Sequence, residues 1–182
     1  MNEKPVAFIT GASRGIGAET AIEFARRGYC VAILARTRND LDCIAQSVRE
    51  CGSEALIQCG DLADLSFAES AIHKTIEKFG RLDVLVNNAA WREITTMRDI
   101  SIESWDKTIR ISLTAPAFLA RWAARYMEKG KKGTIINISS TMSERVGGFA
   151  PAYIAAKGAL DTLTYDLAAL YGPKGIRVVC LN

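Results

Sequence analysis

Six short runs of aliphatic and β-branched residues alternate with five longer segments of helical periodicity along this 182-residue chain. The candidate strands are Val6–Ile9, Val31–Leu34, Ala55–Cys59, Val84–Asn87, Thr134–Ile138 and Arg177–Leu181. The candidate helices are Ile16–Arg27, Asn39–Cys51, Ser66–Phe79, Ile102–Glu128 and Ala152–Tyr171. This alternation is typical of βαβ units, in which helices cover both faces of a parallel sheet. We therefore predict a single α/β domain over residues 1–182, with a doubly wound parallel sheet in a three-layer α/β/α arrangement.

Composition and charge exclude several classes of function. The net charge is only +3, and basic residues are interleaved with acidic ones, so no nucleic-acid partner is predicted. No apolar stretch approaches the roughly 20 residues of a membrane span, so no membrane partner is predicted either. The single histidine and five scattered cysteines without CxxC spacing give no metal site. Because no secretory leader precedes the first apolar run, a reduced, cytoplasmic setting is expected.

A glycine-rich turn separates the first candidate strand from the first helix. It reads Thr10-Gly11-Ala12-Ser13-Arg14-Gly15-Ile16-Gly17. Glycines allow positive φ angles and close backbone approach, and a helix N-terminus offers unpaired N–H groups and a positive dipole end. The spacing is G-x-x-x-G-x-G, which differs from the G-x-G-x-x-G fingerprint but uses the same physics. A tight turn without a ligand is the alternative. We predict a dinucleotide pyrophosphate site made by Gly11, Ser13, Arg14, Gly15, Ile16 and Gly17.

The end of the second candidate strand indicates which dinucleotide binds. In such folds a carboxylate at this point bonds the ribose 2′-hydroxyl of NAD(H). This chain instead has Ala35 followed by Arg36. A guanidinium attracts a 2′-phosphate, and Arg14 adds a second cation, so NADP(H) is the predicted cofactor and NAD(H) remains possible. The alternative is that Arg14 and Arg36 are ordinary surface arginines.

Five motifs occur in order at the ends of candidate strands. They are the glycine turn, Asp61-Leu62, Asn87-Asn88-Ala89-Ala90, Ser139-Ser140 and Tyr153-Ile154-Ala155-Ala156-Lys157. In this combination the sequence resembles the short-chain dehydrogenase/reductase family from end to end. The resemblance implies a Rossmann fold, an adenine contact at Asp61 and Leu62, and a ribose contact at Asn88 and Ala89. A turn or helix cap is the alternative role for Asp61.

Tyr153 and Lys157 are candidate catalytic residues because a four-residue spacing places both on one face of a helix. An ammonium beside a phenol favours the phenolate, so the pair can act as a general acid and base. The resemblance implies that Ser140 orients the substrate carbonyl and that Lys157 also holds the cofactor ribose. The predicted reaction is hydride transfer between NADP(H) and a carbonyl or alcohol group of a small organic substrate.

Two residues depart from the family pattern. Ser112 stands where the family usually has a catalytic asparagine that helps hold a water near the lysine, and Ala90 stands where it has glycine. Ser112 is retained as a candidate catalytic residue, although a serine has fewer donors. A cofactor-binding scaffold with little or no turnover is therefore the alternative function. A sugar epimerase or dehydratase is less favoured, because of the glycine spacing.

The family resemblance also implies assembly and further chain. Family members commonly pair through the two long helices, so a homodimer or homotetramer is expected. They also continue past the sixth strand into a substrate-covering segment and a seventh strand, whereas this sequence stops at Asn182. We therefore expect a truncated form whose sixth strand is an open sheet edge.

Overall fold

The computed structural model describes residues 4–182. Six parallel strands form one sheet in the order β3-β2-β1-β4-β5-β6. They are β1 Val6–Thr10, β2 Cys30–Ala35, β3 Ala55–Cys59, β4 Val84–Asn87, β5 Gly133–Ile138 and β6 Ile176–Leu181. The helices are α1 Gly15–Arg26, α2 Arg38–Glu50, α3 Leu65–Phe79, α4 Ile102–Ile109, α5 Ala115–Gly130 and α6 Pro151–Tyr171. The predicted doubly wound α/β fold is confirmed.

Helices cover the sheet from both sides, which explains why the central strands consist of apolar residues. Every residue of β1 and β2 is buried. The side chains of α1 and α2 pack on one face, in a core that contains Ile9, Ile33 and Leu41. Those of α3, α5 and α6 pack on the other, around Phe8 and Leu119. A strand buried on both faces has no polar side to present, so it is a continuous apolar run.

Local signals set the ends of α3. The Asp64 carboxylate accepts hydrogen bonds from the backbone N–H groups of Ser66 and Phe67 and so caps the first turn. Gly80 ends the helix in the left-handed conformation, with φ of 77°. Glycine adopts this conformation without a Cβ penalty.

The segment predicted as one helix over Ile102–Glu128 is helical throughout, but it contains one wider turn that was not predicted. Between α4 and α5 lies a π-helical turn, Arg110–Thr114, and α5 continues to Gly130. The wider turn contains Ser112, whose hydroxyl forms hydrogen bonds with the backbone of Trp91 and not with a carbonyl of its own helix. Such turns are frequently found at functional sites.

Strand β6 forms one edge of the sheet, as predicted, and pairs with β5 from Ile176 to Leu181. Val179 and Leu181 on this strand are exposed. No helix among residues 4–182 is long and apolar enough to cross a membrane.

Candidate active site

A cleft of about 530 Å³ opens at the carboxyl ends of the central strands. The chain leaves β1 towards β2 on one side, whereas β4 lies on the other, and ligands of open α/β sheets bind at this switch point. The predicted cofactor residues that line the cleft are Gly11, Ser13, Arg14, Arg36, Asp61, Leu62, Asn88 and Ala89. Gly15, Ile16 and Gly17 lie at the start of α1 beside it, and Tyr153 and Lys157 lie on α6. The cleft walls also contain Leu34, Ala35, Thr37, Asp40, Gly60, Ala90, Trp91 and Ile111.

The glycines of the turn are required for different reasons. A Cβ placed on Gly17 would lie 2.3 Å from the carbonyl oxygen of Gly11 and 2.5 Å from Nδ2 of Asn88, so close packing excludes any side chain there. Gly15 has φ of 56°, and a Cβ placed on it would meet no protein atom within 4 Å. Conformation, and not packing within the protein, therefore demands glycine at position 15.

Asn88 joins the glycine turn to the end of β4. Its Nδ2 donates to the backbone carbonyls of Thr10, at 2.9 Å, and Gly11, at 3.2 Å. The Thr10 hydroxyl in turn accepts from the backbone N–H groups of Asn88 and Ala89, both at 3.0 Å. The sequence predicted only a ribose contact for Asn88 and missed this positioning role. The two sides of the cleft are thereby held as one unit.

The first turn of α1 fits the pyrophosphate of a dinucleotide. Arg14 occupies the N-cap position in extended conformation, and its side chain makes no capping hydrogen bond. The first turn contains no acidic residue. A helix N-terminus without a side-chain cap or a nearby carboxylate presents N–H donors and a positive dipole end to an anion.

At the end of the cleft beside β2, Arg36 follows the strand directly and is exposed. Thr37 caps α2 without a side-chain hydrogen bond, so its hydroxyl is available to a ligand. Asp61 lines the cleft, and its Oδ1 accepts from the backbone N–H of Ala63 at 2.9 Å, which is the turn-capping role. Asp40, in the first turn of α2, is an acid that the sequence analysis missed.

Trp91 is a further cleft residue that the sequence analysis missed, although an aromatic residue after Asn-Asn-Ala-Ala was a visible signal. Its ring lies 5.3 Å from the Arg36 guanidinium carbon and 3.7 Å from Nζ of Lys107. The Ser112 hydroxyl accepts from the Trp91 N–H at 3.0 Å and donates to the Trp91 carbonyl at 3.2 Å. Ser112 is buried, and its hydroxyl holds the backbone of Trp91 in place.

The structure brings Tyr153 and Lys157 together on α6, as the spacing predicted. Nζ of Lys157 lies 5.6 Å from the centroid of the Tyr153 ring. The same ammonium donates to the carbonyl of Ile138, at the end of β5, at 2.5 Å. Lys157 is only 2% exposed, and this burial lowers its pKa to about 8. The Lys157 ammonium is therefore a partly desolvated positive charge close to the Tyr153 ring.

Ser140 lies two residues beyond β5, where the chain begins a short 3₁₀ turn. Its hydroxyl accepts from the backbone N–H of Met142 at 3.2 Å, and its carbonyl accepts from the hydroxyl of Ser143 at 2.8 Å. These bonds fix the backbone that precedes α6. The hydroxyl proton of Ser140 is free to donate to a ligand, because the oxygen acts only as an acceptor in the Met142 contact.

Behind the lysine lies a small polar network. Asp161 is four residues beyond Lys157 on α6, and the Cys180 thiol donates to its Oδ1 at 3.0 Å. Burial and the Asp161 carboxylate raise the pKa of the Cys180 thiol to about 11. Burial alone would raise the pKa of Asp161, but hydrogen bonds, including the one from Cys180, keep it below its usual value. An ionised Asp161 favours the protonated form of Lys157.

Two loops form the open side of the site next to Tyr153. The first follows β4 and contains residues 91–99, and the second follows β5 and contains residues 141–150. The backbone N–H of Ala150 donates to the carbonyl of Thr95 at 2.8 Å and links them. Ala150 is buried and has φ of 57°, a strained conformation for a residue with a Cβ. Backbone strain of this kind is concentrated at functional sites.

Comparison with known proteins supports the fold and identifies the family. The family described as short chain dehydrogenase matches residues 5–182. L-xylulose reductase of Mus musculus is 37% identical over 178 residues, which cover 97% of this chain and 69% of that protein. A metagenomic short-chain oxidoreductase solved with NADP superimposes with a TM-score of 0.92 at 34% identity, covering 97% of this chain and 80% of the other. NAD⁺-bound xylitol dehydrogenase superimposes with a TM-score of 0.93 at 29% identity, and the match covers 98% of this chain and 69% of the other.

The fold and the position of the cleft are those of a Rossmann-type domain. The chain belongs to the short-chain dehydrogenase family.

Proposed function

We propose that the protein transfers a hydride between NADP(H) and a carbonyl or alcohol group of a small organic substrate. The observation that carries this proposal is the buried Lys157 ammonium, which lies 5.6 Å from the centroid of the Tyr153 ring on the same face of α6. The similarity to L-xylulose reductase supports a carbonyl reaction.

Tyr153, Lys157 and Ser140 have separate roles in this proposed reaction. Bound NADPH supplies the hydride for the carbonyl carbon. Tyr153 gives its hydroxyl proton to the carbonyl oxygen, and the charge of Lys157 favours the phenolate that remains. Ser140 donates a hydrogen bond to the same oxygen and so orients and polarises the carbonyl. In the reverse direction Tyr153 accepts the proton of an alcohol.

NADP(H) is the proposed cofactor, with NAD(H) as the second choice. The charge of Arg36, the free hydroxyl of Thr37 and the second cation of Arg14 support binding of a 2′-phosphate at this end of the cleft. One structural neighbour holds NADP and another NAD⁺, so both cofactors occur among similar proteins. Titration should give a lower Kd for NADPH than for NADH, and Arg36→Asp should reverse the order. Equal Kd values in the unmutated protein would contradict this preference.

The catalytic assignment is tested with Tyr153→Phe. This variant removes the phenol proton and keeps the ring, so NADPH should bind with nearly unchanged Kd. The kcat for reduction of a responsive ketone or aldehyde should fall by about a hundredfold or more. Phe24→Leu is a matched control, because Phe24 is a partly buried aromatic residue of α1 outside the cleft. Undiminished turnover in Tyr153→Phe would overturn the assignment.

A cofactor-binding protein with little turnover is the second candidate function. It is favoured by Ser112, whose hydroxyl has both its bonds with the Trp91 backbone and so lacks a free donor for a water near Lys157. Ser112→Asn distinguishes the two functions. A rise in kcat with unchanged NADPH Kd would favour the low-turnover protein, and a fall would favour Ser112 as a member of the working catalytic set.

We also propose a cytoplasmic homodimer or homotetramer that forms through α5 and α6. Tyr165 and Leu170 on α6 and Phe118 on α5 are large apolar side chains exposed to solvent. Exposed small residues earlier on α6, Ala155 and Ala159, permit close approach of a second helix. Light scattering at micromolar concentration should give a multimer, and Tyr165→Glu should shift it towards the monomer.

A further inference from the structure

Arg92 is the cation nearest to the proposed proton donor on the open side of the site. Its guanidinium carbon lies 5.7 Å from the centroid of the Tyr153 ring. Its Nη1 contacts Sδ of Met142, on the facing loop, at 3.7 Å. The arginine therefore spans the gap between the 91–99 loop and the 141–150 loop, directly beside the phenol.

No acidic side chain among residues 4–182 forms an ion pair with Arg92 within 4 Å. The neighbouring acids have other partners. Glu93 accepts from the hydroxyl of Ser104, and Asp99 accepts from that of Thr96 at 2.6 Å. The guanidinium donors consequently face solvent at the mouth of the site. They also lie outside the lining of the dinucleotide cleft, which Arg14 and Arg36 serve.

The same two loops present large apolar side chains around this charge. Ile94 and Met97 lie on the first loop, and Val146 and Phe149 on the second, and all four are exposed. A ligand that reaches Tyr153 between these loops meets apolar surface and the guanidinium of Arg92, which contacts both the Tyr153 ring and Met142. A planar guanidinium matches the geometry and the charge of one carboxylate, which it can hold with two parallel hydrogen bonds.

We infer that Arg92 is a substrate-binding residue and that the substrate is a carbonyl compound, or the corresponding alcohol, that carries a carboxylate on an apolar body. This inference rests on the proposed function, because it places the carboxylate on the same molecule that reacts at Tyr153. Arg92 binds the carboxylate at one end of the substrate and thereby orients the reacting carbonyl at the other end towards Tyr153.

The test compares keto acids with their neutral methyl esters. The probes are levulinate with methyl levulinate and 3-benzoylpropionate with its methyl ester, each reduced with NADPH by the full chain. The unmutated protein should have a higher kcat/KM for each acid than for its ester. Arg92→Gln should reduce this ratio by about ten- to hundredfold, which is the effect of losing a charge-assisted hydrogen-bonded pair. Arg92→Lys should restore part of it, because it keeps the charge and loses the planar fork.

Arg98→Gln is the matched control. Arg98 lies on the same loop and carries the same charge, but its side chain has no contact with Tyr153 or Met142 among the hydrogen bonds and ring contacts of the described chain. This variant should keep the ratio of the unmutated protein, which separates a local contact from a general change in charge. If Arg98→Gln and Arg92→Gln lower the ratio equally, the assignment of the carboxylate to Arg92 is wrong.

Binding measured by calorimetry separates this inference from the proposed function. If the protein reduces neutral ketones as well as keto acids, and Arg92→Gln changes kcat/KM for both equally, the inferred carboxylate contact is wrong and the proposed reductase function is retained. If no carbonyl probe is reduced, the proposed reductase function is wrong. The Kd of benzoylpropionate for the NADPH-loaded chain then tests the carboxylate site at Arg92. A Kd raised about tenfold or more by Arg92→Gln supports the site, and an unchanged Kd overturns it.

Discussion

Replacing Lys157 with methionine tests the cost of burying its ammonium. Burial lowers the pKa of this lysine from 10.5 to about 8. A shift of this size corresponds to about 3 kcal/mol, by which the protonated side chain destabilises the folded state below about pH 8. The methionine has a similar length and no charge, so it removes this penalty. It also leaves the carbonyl of Ile138 without its donor, which costs about 1–3 kcal/mol at every pH.

The dependence on pH separates these two effects. Because the folded-state pKa lies below the unfolded-state pKa, the unfolded chain holds the extra proton between about pH 8 and pH 10.5. The free energy of unfolding of the unmutated protein therefore rises across this window, by about 1.4 kcal/mol per pH unit in its middle. Lys157→Met lacks this rise. Tyr171 has a raised pKa, but both proteins contain it, so its contribution cancels in the difference. Cys180 interacts electrostatically with Lys157, so the comparison is made with Cys180→Ser in both proteins.

Urea unfolding of both proteins without cofactor, from pH 7 to pH 10.5, measures this difference. We expect the free energy of unfolding of the unmutated protein to gain about 3 kcal/mol relative to Lys157→Met over this range. Lys74→Met is the control, because Lys74 is exposed on α3, and it should show no comparable change. A difference between unmutated protein and Lys157→Met that stays constant with pH would refute the reasoning about the buried charge.

Three further perturbations address separate parts of the structure. Gly17→Ala should lower the free energy of unfolding by about 1–3 kcal/mol in urea titrations, since the new Cβ would overlap the carbonyl oxygen of Gly11, and an unchanged value would contradict the packing. Cys180 should react with iodoacetamide far more slowly at pH 8 than exposed Cys43, because its pKa is raised to about 11, and mass spectrometry of labelled peptides measures both. Asp40→Asn should lower the Kd of NADPH about two- to fivefold by removing a carboxylate from the adenosine end, and a higher Kd would speak against a phosphate there.

The strands and the phosphate turn could be predicted from the sequence because their signals are local. Each observed strand agrees with its predicted range to within one residue at either end. A strand buried on both faces is a continuous apolar run, and β1 shows this from Val6 to Thr10. The glycines at positions 11 and 15 are required by their own φ angles, which makes them visible without tertiary information.

The features that the sequence did not predict depend on contacts between distant residues. The π-helical turn exists where Ser112 meets the backbone of Trp91, twenty-one positions earlier in the chain. The periodicity of the segment is compatible with an uninterrupted helix, so nothing local indicates the turn. The role of Asn88 likewise depends on carbonyls of Thr10 and Gly11 from another strand end. The pairing of Cys180 with Asp161 requires β6 to lie against α6.

Transfer of an isotopic label from the cofactor tests the central claim most directly. NADPH carrying deuterium at the nicotinamide carbon that donates the hydride is incubated with the protein and a carbonyl compound that it reduces. Mass spectrometry should show one deuterium bound to carbon in the alcohol product, and the same reaction with unlabelled NADPH in deuterated water should show none at that carbon. Tyr153→Phe should lower the rate of label transfer by about a hundredfold or more. Binding of NADPH without transfer of the label to any ketone or aldehyde would contradict the account and favour the protein with little turnover.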